Sequence, residues 1–264
     1  MRTFYDTGAF RSLTYRDMPF VLMSGIWKRL SQSFYWHKAE EMRVHGDGIK
    51  VNFDSPEAFE EVFWKVFSSD KYLYEDHLSP YAANAEVIHR FQQFVSLVIE
   101  SPDDPYQRRY LSKNNNNILR LSSIRQAFPD ALIIVPFRDP IQQAISLFRQ
   151  HTRFCAIHET DPFSCKYMKW LGHHEFGATH RPFQLGNKWQ VTAKDHRSVN
   201  INYWLALWIN VYQYLFETAP QDAVFLSFEE LCREPQQTTS MLLSKANLVK
   251  DDFSIEEEIR KPKL

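Results

Sequence analysis

Residues 131–146 read ALIIVPFRDPIQQAIS. The first seven form a continuous apolar run rich in β-branched residues, the pattern of a strand buried on both faces of a parallel sheet. Asp139 then offers an N-cap and Pro140 a first helical position for IQQAISLFRQH, so the change from strand to helix falls at Arg138. In an open α/β sheet that place, beyond the carboxyl end of a strand and at a helix N-terminus, favours bound anions. Arg138 adds a permanent charge and a planar fork suited to phosphate. An isolated RDP tripeptide fits an arginine paired with Asp139 or another carboxylate equally well, and by itself decides nothing.

Working outward, Lys113 in RYLSKNNNN precedes Arg138, and Ser146 follows it two helical turns later. The whole string from 109 to 151, RYLSKNNNNILRLSSIRQAFPDALIIVPFRDPIQQAISLFRQH, resembles the central block of the sulfotransferase family: a lysine, an FP-A, a strand, R-D-P and a serine, in that order. The resemblance implies an α/β protein of the P-loop-like sulfotransferase fold, a parallel sheet flanked by helices. It implies 3′-phosphoadenosine-5′-phosphosulfate (PAPS) as sulfonate donor, with Arg138 and Ser146 holding the 3′-phosphate. Lys113 would then stabilise charge on the sulfonate or bridging oxygen as the donor bond breaks. Without the resemblance, Lys113 reads as a solvated lysine at a strand end.

A second block, NYWLALWINVYQYLF at 202–216 followed by VFLSFEELCREP at 224–235, fits the same scheme. Trp204, Leu207, Trp208, Val211 and Leu215 fall on one helical face, and VFLSF reads as another buried strand. The helix, strand and acidic FEEL in succession are similar to the late sulfotransferase pattern. The aromatic stripe reads as core rather than as an adenine platform, so no site residue is placed there.

The chain departs from the family at its start. Sulfotransferases open with a strand and a glycine-containing loop whose backbone N–H groups and basic residue bind the 5′-phosphosulfate. None of the seven glycines forms such a loop, and MRTFYDTGAF resembles the helix that follows it. The expectation is a single domain over 1–264 whose first strand and phosphate loop are missing, an N-terminally incomplete chain. Loss of an interior strand would leave the edges of its neighbours open. The other reading is a homologue that binds adenosine bisphosphate and transfers nothing.

Sulfonate transfer to a hydroxyl or amine needs a base within reach of the nucleophile. Many cytosolic sulfotransferases place a histidine two residues after the lysine; here that position is Asn115. Other branches take a glutamate from the loop after the first helix, and the comparable TYRDMPF makes Asp17 the leading candidate base, with Arg16 as an acceptor contact or a plain salt-bridge partner. His45 in VHGDGIKVNF is the second candidate. Cys155, His158, Cys165, His173, His174 and His180 share one segment, and the gap between the first two is a zinc-ligand spacing. The later spacings match no structural zinc motif, so no metal ligand is assigned.

Composition bounds the rest. The formal charge of −1 on 264 residues supplies no drive toward nucleic acid or anionic membrane. No apolar run approaches a membrane span and no signal-peptide pattern is present. Three cysteines are too few for a disulfide framework, so the expectation is a reducing, cytoplasmic compartment. The resemblance implies an enzyme with a small-molecule or carbohydrate acceptor, lipid and peptide tyrosine also staying open. Helices are expected over 1–9, over 55–67 with Ser55 as cap and Phe59, Val62, Phe63, Val66 and Phe67 inward, over roughly 80–99 with a break at SPDDP, and over 118–127.

Overall fold

The computed structural model describes residues 1–31, 41–42, 50–100, 108–186 and 196–248. His45 and the SPDDP break at 101–105 lie outside the described residues. In chain order the elements are α1 (Arg2–Tyr5), β1 (Phe10–Arg11), α2 (Ser24–Ser31), β2 (Glu41–Met42), β3 (Lys50–Val51), α3 (Glu61–Tyr72) and α4 (Ala85–Ile99). Then come β4 (Arg109–Tyr110), α5 (Leu121–Ala127), β5 (Ile134–Phe137), α6 (Pro140–Thr160), α7 (Pro162–Leu171), α8 (Ile201–Thr218), β6 (Val224–Ser227), α9 (Phe228–Arg233) and α10 (Pro235–Lys245). The architecture is mixed α/β and mostly helical. Among the described helices none is long and apolar enough to cross a membrane.

Parallel pairing is present as short ladders. β1 lies parallel to β4 with Phe10 opposite Arg109, and β5 lies parallel to β6 from Ile134 opposite Val224 to Phe137 opposite Ser227. β2 and β3 form an antiparallel pair. Between β4 and β5 opens a cavity of about 1600 Å³, walled by Arg109–Ser112 on one side and Ile133–Pro136 on the other. This corrects the expectation that 131–137 is buried on both faces. Val135 is buried but Pro136 is exposed, and among the described residues β5 pairs only with β6 and adjoins the cavity.

Local chemistry explains where the helices begin. Asp139 caps α6 as expected, its Oδ1 accepting from Gln142 N at 2.8 Å with Pro140 next to it. Asn84 caps α4 through Val87 N at 2.9 Å, so that helix starts after the extended 80–83. The helix expected from Ser55 starts instead at Glu61. Ser55 is used locally by Asn52, whose N–H donates to Ser55 Oγ at 3.0 Å, and Pro56 bridges to Thr14. The buried face of α3 therefore shifts: Val62, Phe63, Trp64 and Tyr72 are inward while Val66 stands 58% exposed. Likewise the helix expected over 1–9 closes after Tyr5, and Gly8 at φ +75° turns the chain into β1.

Three apolar clusters hold these elements. Phe59, Phe63, Trp64, Phe91 and Phe94 join α3 to α4. Phe154, Met168, Tyr203 and Trp204 join α6, α7 and α8, which confirms Trp204 and Leu207 as core positions. Leu78, Ile118, Leu119, Val135 and Leu215 pack behind β5. Trp208 and Val211 of the Trp-rich face, which also line the cavity, are only half-buried.

Candidate functional site

The cavity is larger than the roughly 300–1,000 Å³ of ordinary ligand sites, and several segments bring polar groups to it. Lys113 and Asn114–Asn117 form one wall, and His173–Glu175 with His180 and Arg181 form another. Gln143, Leu147 and Gln150 of α6 and Trp208 and Tyr212 of α8 are also among the lining residues.

The turn that carries Lys113 is fixed by two consecutive buried acids at the start of α3. Glu60, 2% exposed, accepts from Trp64 Nε1 at 3.0 Å, from the Tyr110 hydroxyl at 3.1 Å and from the Ser112 hydroxyl. Glu61 accepts from Asn114 Nδ2 at 2.7 Å and from the Tyr72 hydroxyl, and it pairs with Arg120 at 3.0 Å. Residues 110, 112, 114 and 120 are thus all tied to α3, and exposed Lys113 projects from a segment held on both sides. Asn114 also caps the 3₁₀ turn Asn115–Arg120 through Asn116 N at 3.0 Å, which is the use found for the asparagine run.

Arg138 sits where the sequence puts it, between β5 and the N-terminus of α6. Its Nη2 donates to Gln142 Oε1 at 2.9 Å, and its guanidinium carbon lies 5.1 Å from the centroid of the Phe228 ring. Its Nε is buried with no acceptor among the described residues. A buried, unsatisfied guanidinium donor at a helix N-terminus suits an anion. Ser146 is exposed one turn beyond Gln142, so Arg138, Gln142 and Ser146 follow one side of α6. Neither Arg138 nor Ser146 lines the cavity that Lys113 lines. Glu229 Oε1 accepts from Asp139 N at 2.8 Å; burial opposes its charge, but that bond, with Ser227 and Arg138, holds its carboxyl below the usual range.

Four neutral histidines hold the loop from Gly172 to Arg181. His151 Nδ1 and His158 Nδ1 accept from the consecutive N–H groups of Gly177 and Ala178, both at 3.1 Å. His174 Nδ1 donates to Thr179 O at 2.9 Å, and His180 Nδ1 donates to His174 O at 3.0 Å while its Nε2 accepts from the Tyr203 hydroxyl at 2.6 Å. Burial pushes His174 and His180 down to about 4 and lowers His151 and His158. Among the described residues no group of three His, Cys, Asp or Glu could hold a metal ion. The suggestive His/Cys spacing is therefore spent on backbone and sulfur contacts, His158 Nε2 lying 3.3 Å from Met168 Sδ.

At the tip of that loop Glu175 Oε1 accepts from Asn115 Nδ2 at 2.8 Å and lies 3.5 Å from His173 Nδ1. Burial works against charge on His173, and the Glu175 carboxylate outweighs it, so its pKa is raised; Lys113 opposes and Glu57 supports that shift. Asp17, the leading candidate base, is fully buried. Its Oδ2 accepts from Thr14 N at 2.7 Å and Thr14 Oγ1 at 3.1 Å, the closed arrangement of a capping box. Arg16 forms the salt bridge that was its plain alternative, with Asp54.

Sequence reasoning passed over Glu60, Glu61, Phe228 and Glu229, and weighed His173 only as a metal ligand. The signals were present: two acids inside an aromatic run at 59–64, and the FEEL that closes the second block. No curated protein and no solved structure matches the chain. Residues 54–181, which contain Lys113, Arg138 and Ser146 together with Glu60, Glu61, His173 and Glu175, match the family model described as the sulfotransferase family.

Proposed function

We propose that this chain transfers a sulfonate group from PAPS to a hydroxyl or amine of a small-molecule or carbohydrate acceptor, on a P-loop-like sulfotransferase fold. Arg138 and Ser146 grip the 3′-phosphate. The observation that carries the reading is the buried Nε of Arg138, a guanidinium donor without an acceptor among the described residues at the N-terminus of α6, inside the segment that matches the family. Lys113, exposed on the cavity wall and backed by the Glu60 and Glu61 network, neutralises charge on the bridging oxygen as the sulfur–oxygen bond breaks. Members of the family generally use PAPS, and in-line displacement of this kind calls for positioning and charge stabilisation.

The test is calorimetry with adenosine 3′,5′-bisphosphate. Arg138→Ala removes a charge-assisted phosphate contact and weakens binding by more than tenfold. Unchanged affinity removes the anchor of the reading. Arg138 and Ser146 lie outside the cavity that Lys113 lines, which favours a second reading, binding of the bisphosphate without transfer. Incubation with PAPS separates the two, because only the enzyme releases adenosine bisphosphate from it.

A further inference from the structure

We infer that His173, oriented by Glu175 and anchored through Asn115, is the base that takes the proton from the acceptor. The inference rests on the sulfonate-transfer reading and adds the acceptor side to it. Asn115 stands two residues after Lys113 and donates to Glu175 Oε1 at 2.8 Å. The same carboxylate oxygen faces His173 Nδ1 at 3.5 Å, and Lys113, Asn115, His173 and Glu175 all line the cavity. With Nδ1 turned to a carboxylate, the neutral ring carries its proton there, and Nε2 presents a lone pair with no protein partner among the described residues. This is the base-and-orienter pairing of general-base catalysis, assembled across two segments far apart in sequence.

The neighbouring residues do not offer the same. His174 is 2% exposed and His180 Nε2 is occupied by Tyr203. Asp17 is enclosed by its own turn. In the step, His173 Nε2 takes the acceptor O–H proton as the acceptor oxygen bonds to the sulfonate sulfur. The bond from sulfur to the bisphosphate oxygen breaks, and the bisphosphate leaves with that electron pair beside Lys113. The charged groups facing His173 are Glu175 and Glu57, which favour the imidazolium, and Lys113, which disfavours it.

The experiment follows release of adenosine bisphosphate from PAPS by the full chain, with water alone and with 2-naphthol as acceptor, across pH 5.5–9 on the order of tenths. His173→Asn lowers kcat at least about a hundredfold, the usual worth of a general base, while bisphosphate affinity by calorimetry stays within about twofold. Glu175→Gln moves the acid limb of the pH–rate profile to lower pH, because loss of the carboxylate lets His173 shed its proton earlier. A His173→Asn variant within about threefold of wild-type kcat, or an unmoved acid limb in Glu175→Gln, overturns the inference. Wild-type protein that binds bisphosphate but turns over no PAPS overturns the base and leaves the donor site standing. Wild-type protein that fails to bind bisphosphate overturns the donor reading, and the base with it.

Discussion

Glu61 and Arg120 form an ion pair at 3.0 Å with side chains 2% and 0% exposed, and that pair links α3 to the turn behind Lys113. The guanidinium also lies 4.8 Å from the Trp64 ring centroid, 4.9 Å from Tyr72 and 5.4 Å from Tyr81, an aromatic box that suits a weakly hydrated planar cation. Glu61→Ala leaves Arg120 charged and unpaired in the core, which costs about 3–5 kcal/mol. Urea unfolding monitored by tryptophan fluorescence measures it, and a loss below about 1 kcal/mol contradicts the structural role given to the pair.

The same acid limits what stands at position 172. Gly172 has φ +78°, and a Cβ there would lie 2.6 Å from Glu61 Cγ, whereas Gly186 at φ +104° has nothing within 4 Å of an added Cβ. Both alanine variants carry backbone strain, and Gly172→Ala adds a collision worth roughly 1–3 kcal/mol. Thermal melts therefore order the variants, with Gly172→Ala below Gly186→Ala and both below wild type.

Acid weakens the fold through the histidine clasp on the 172–181 loop. His174 and His180, pushed down to about 4 by burial, stay neutral in the folded chain while an unfolded chain protonates them below about 6.5. Their contribution is fully present above pH 6.5 and is lost as pH falls from there toward 4, by up to roughly 3 kcal/mol for each. Melting temperature against pH should fall across that window, and His174→Gln should flatten the fall. An identical slope in the variant argues against the clasp.

Arg138 has a fork and a ring beneath it. Arg138→Lys keeps the charge but loses the planar donors, and adenosine bisphosphate affinity should drop about tenfold. Phe228→Leu removes the ring 5.1 Å from the guanidinium and should cost only a few-fold. Calorimetry on the two variants checks the order.

Asp17 is tested by separating stability from pH dependence. Asp17→Asn weakens a buried charge-assisted cap on Thr14 and should lower stability by about 1–3 kcal/mol. The pH–rate profile should keep its wild-type acid limb. A displaced limb would return Asp17 to the acceptor side.

Local chemistry in the chain was enough to determine the strand-to-helix junction at Arg138, the Asp139 cap with Pro140, and Trp204, Leu207 and Leu215 as inward positions of the Trp-rich helix, because caps and short-range periodicity are decided within a few residues. The segment that matches the family model is likewise continuous, and Lys113, Arg138 and Ser146 all fall within it. What only the tertiary structure decided depends on segments meeting across long separations. Glu60 and Glu61 turn inward because Ser112, Asn114 and Arg120 come to meet them, so that two acids of an apolar stretch become the frame of the Lys113 turn. His173 and Glu175 become a pair beside Lys113 only because Asn115 bonds to the loop that four histidines hold in place. Buried polar groups take partners wherever the fold supplies them, and no periodicity in the sequence records which partner that is.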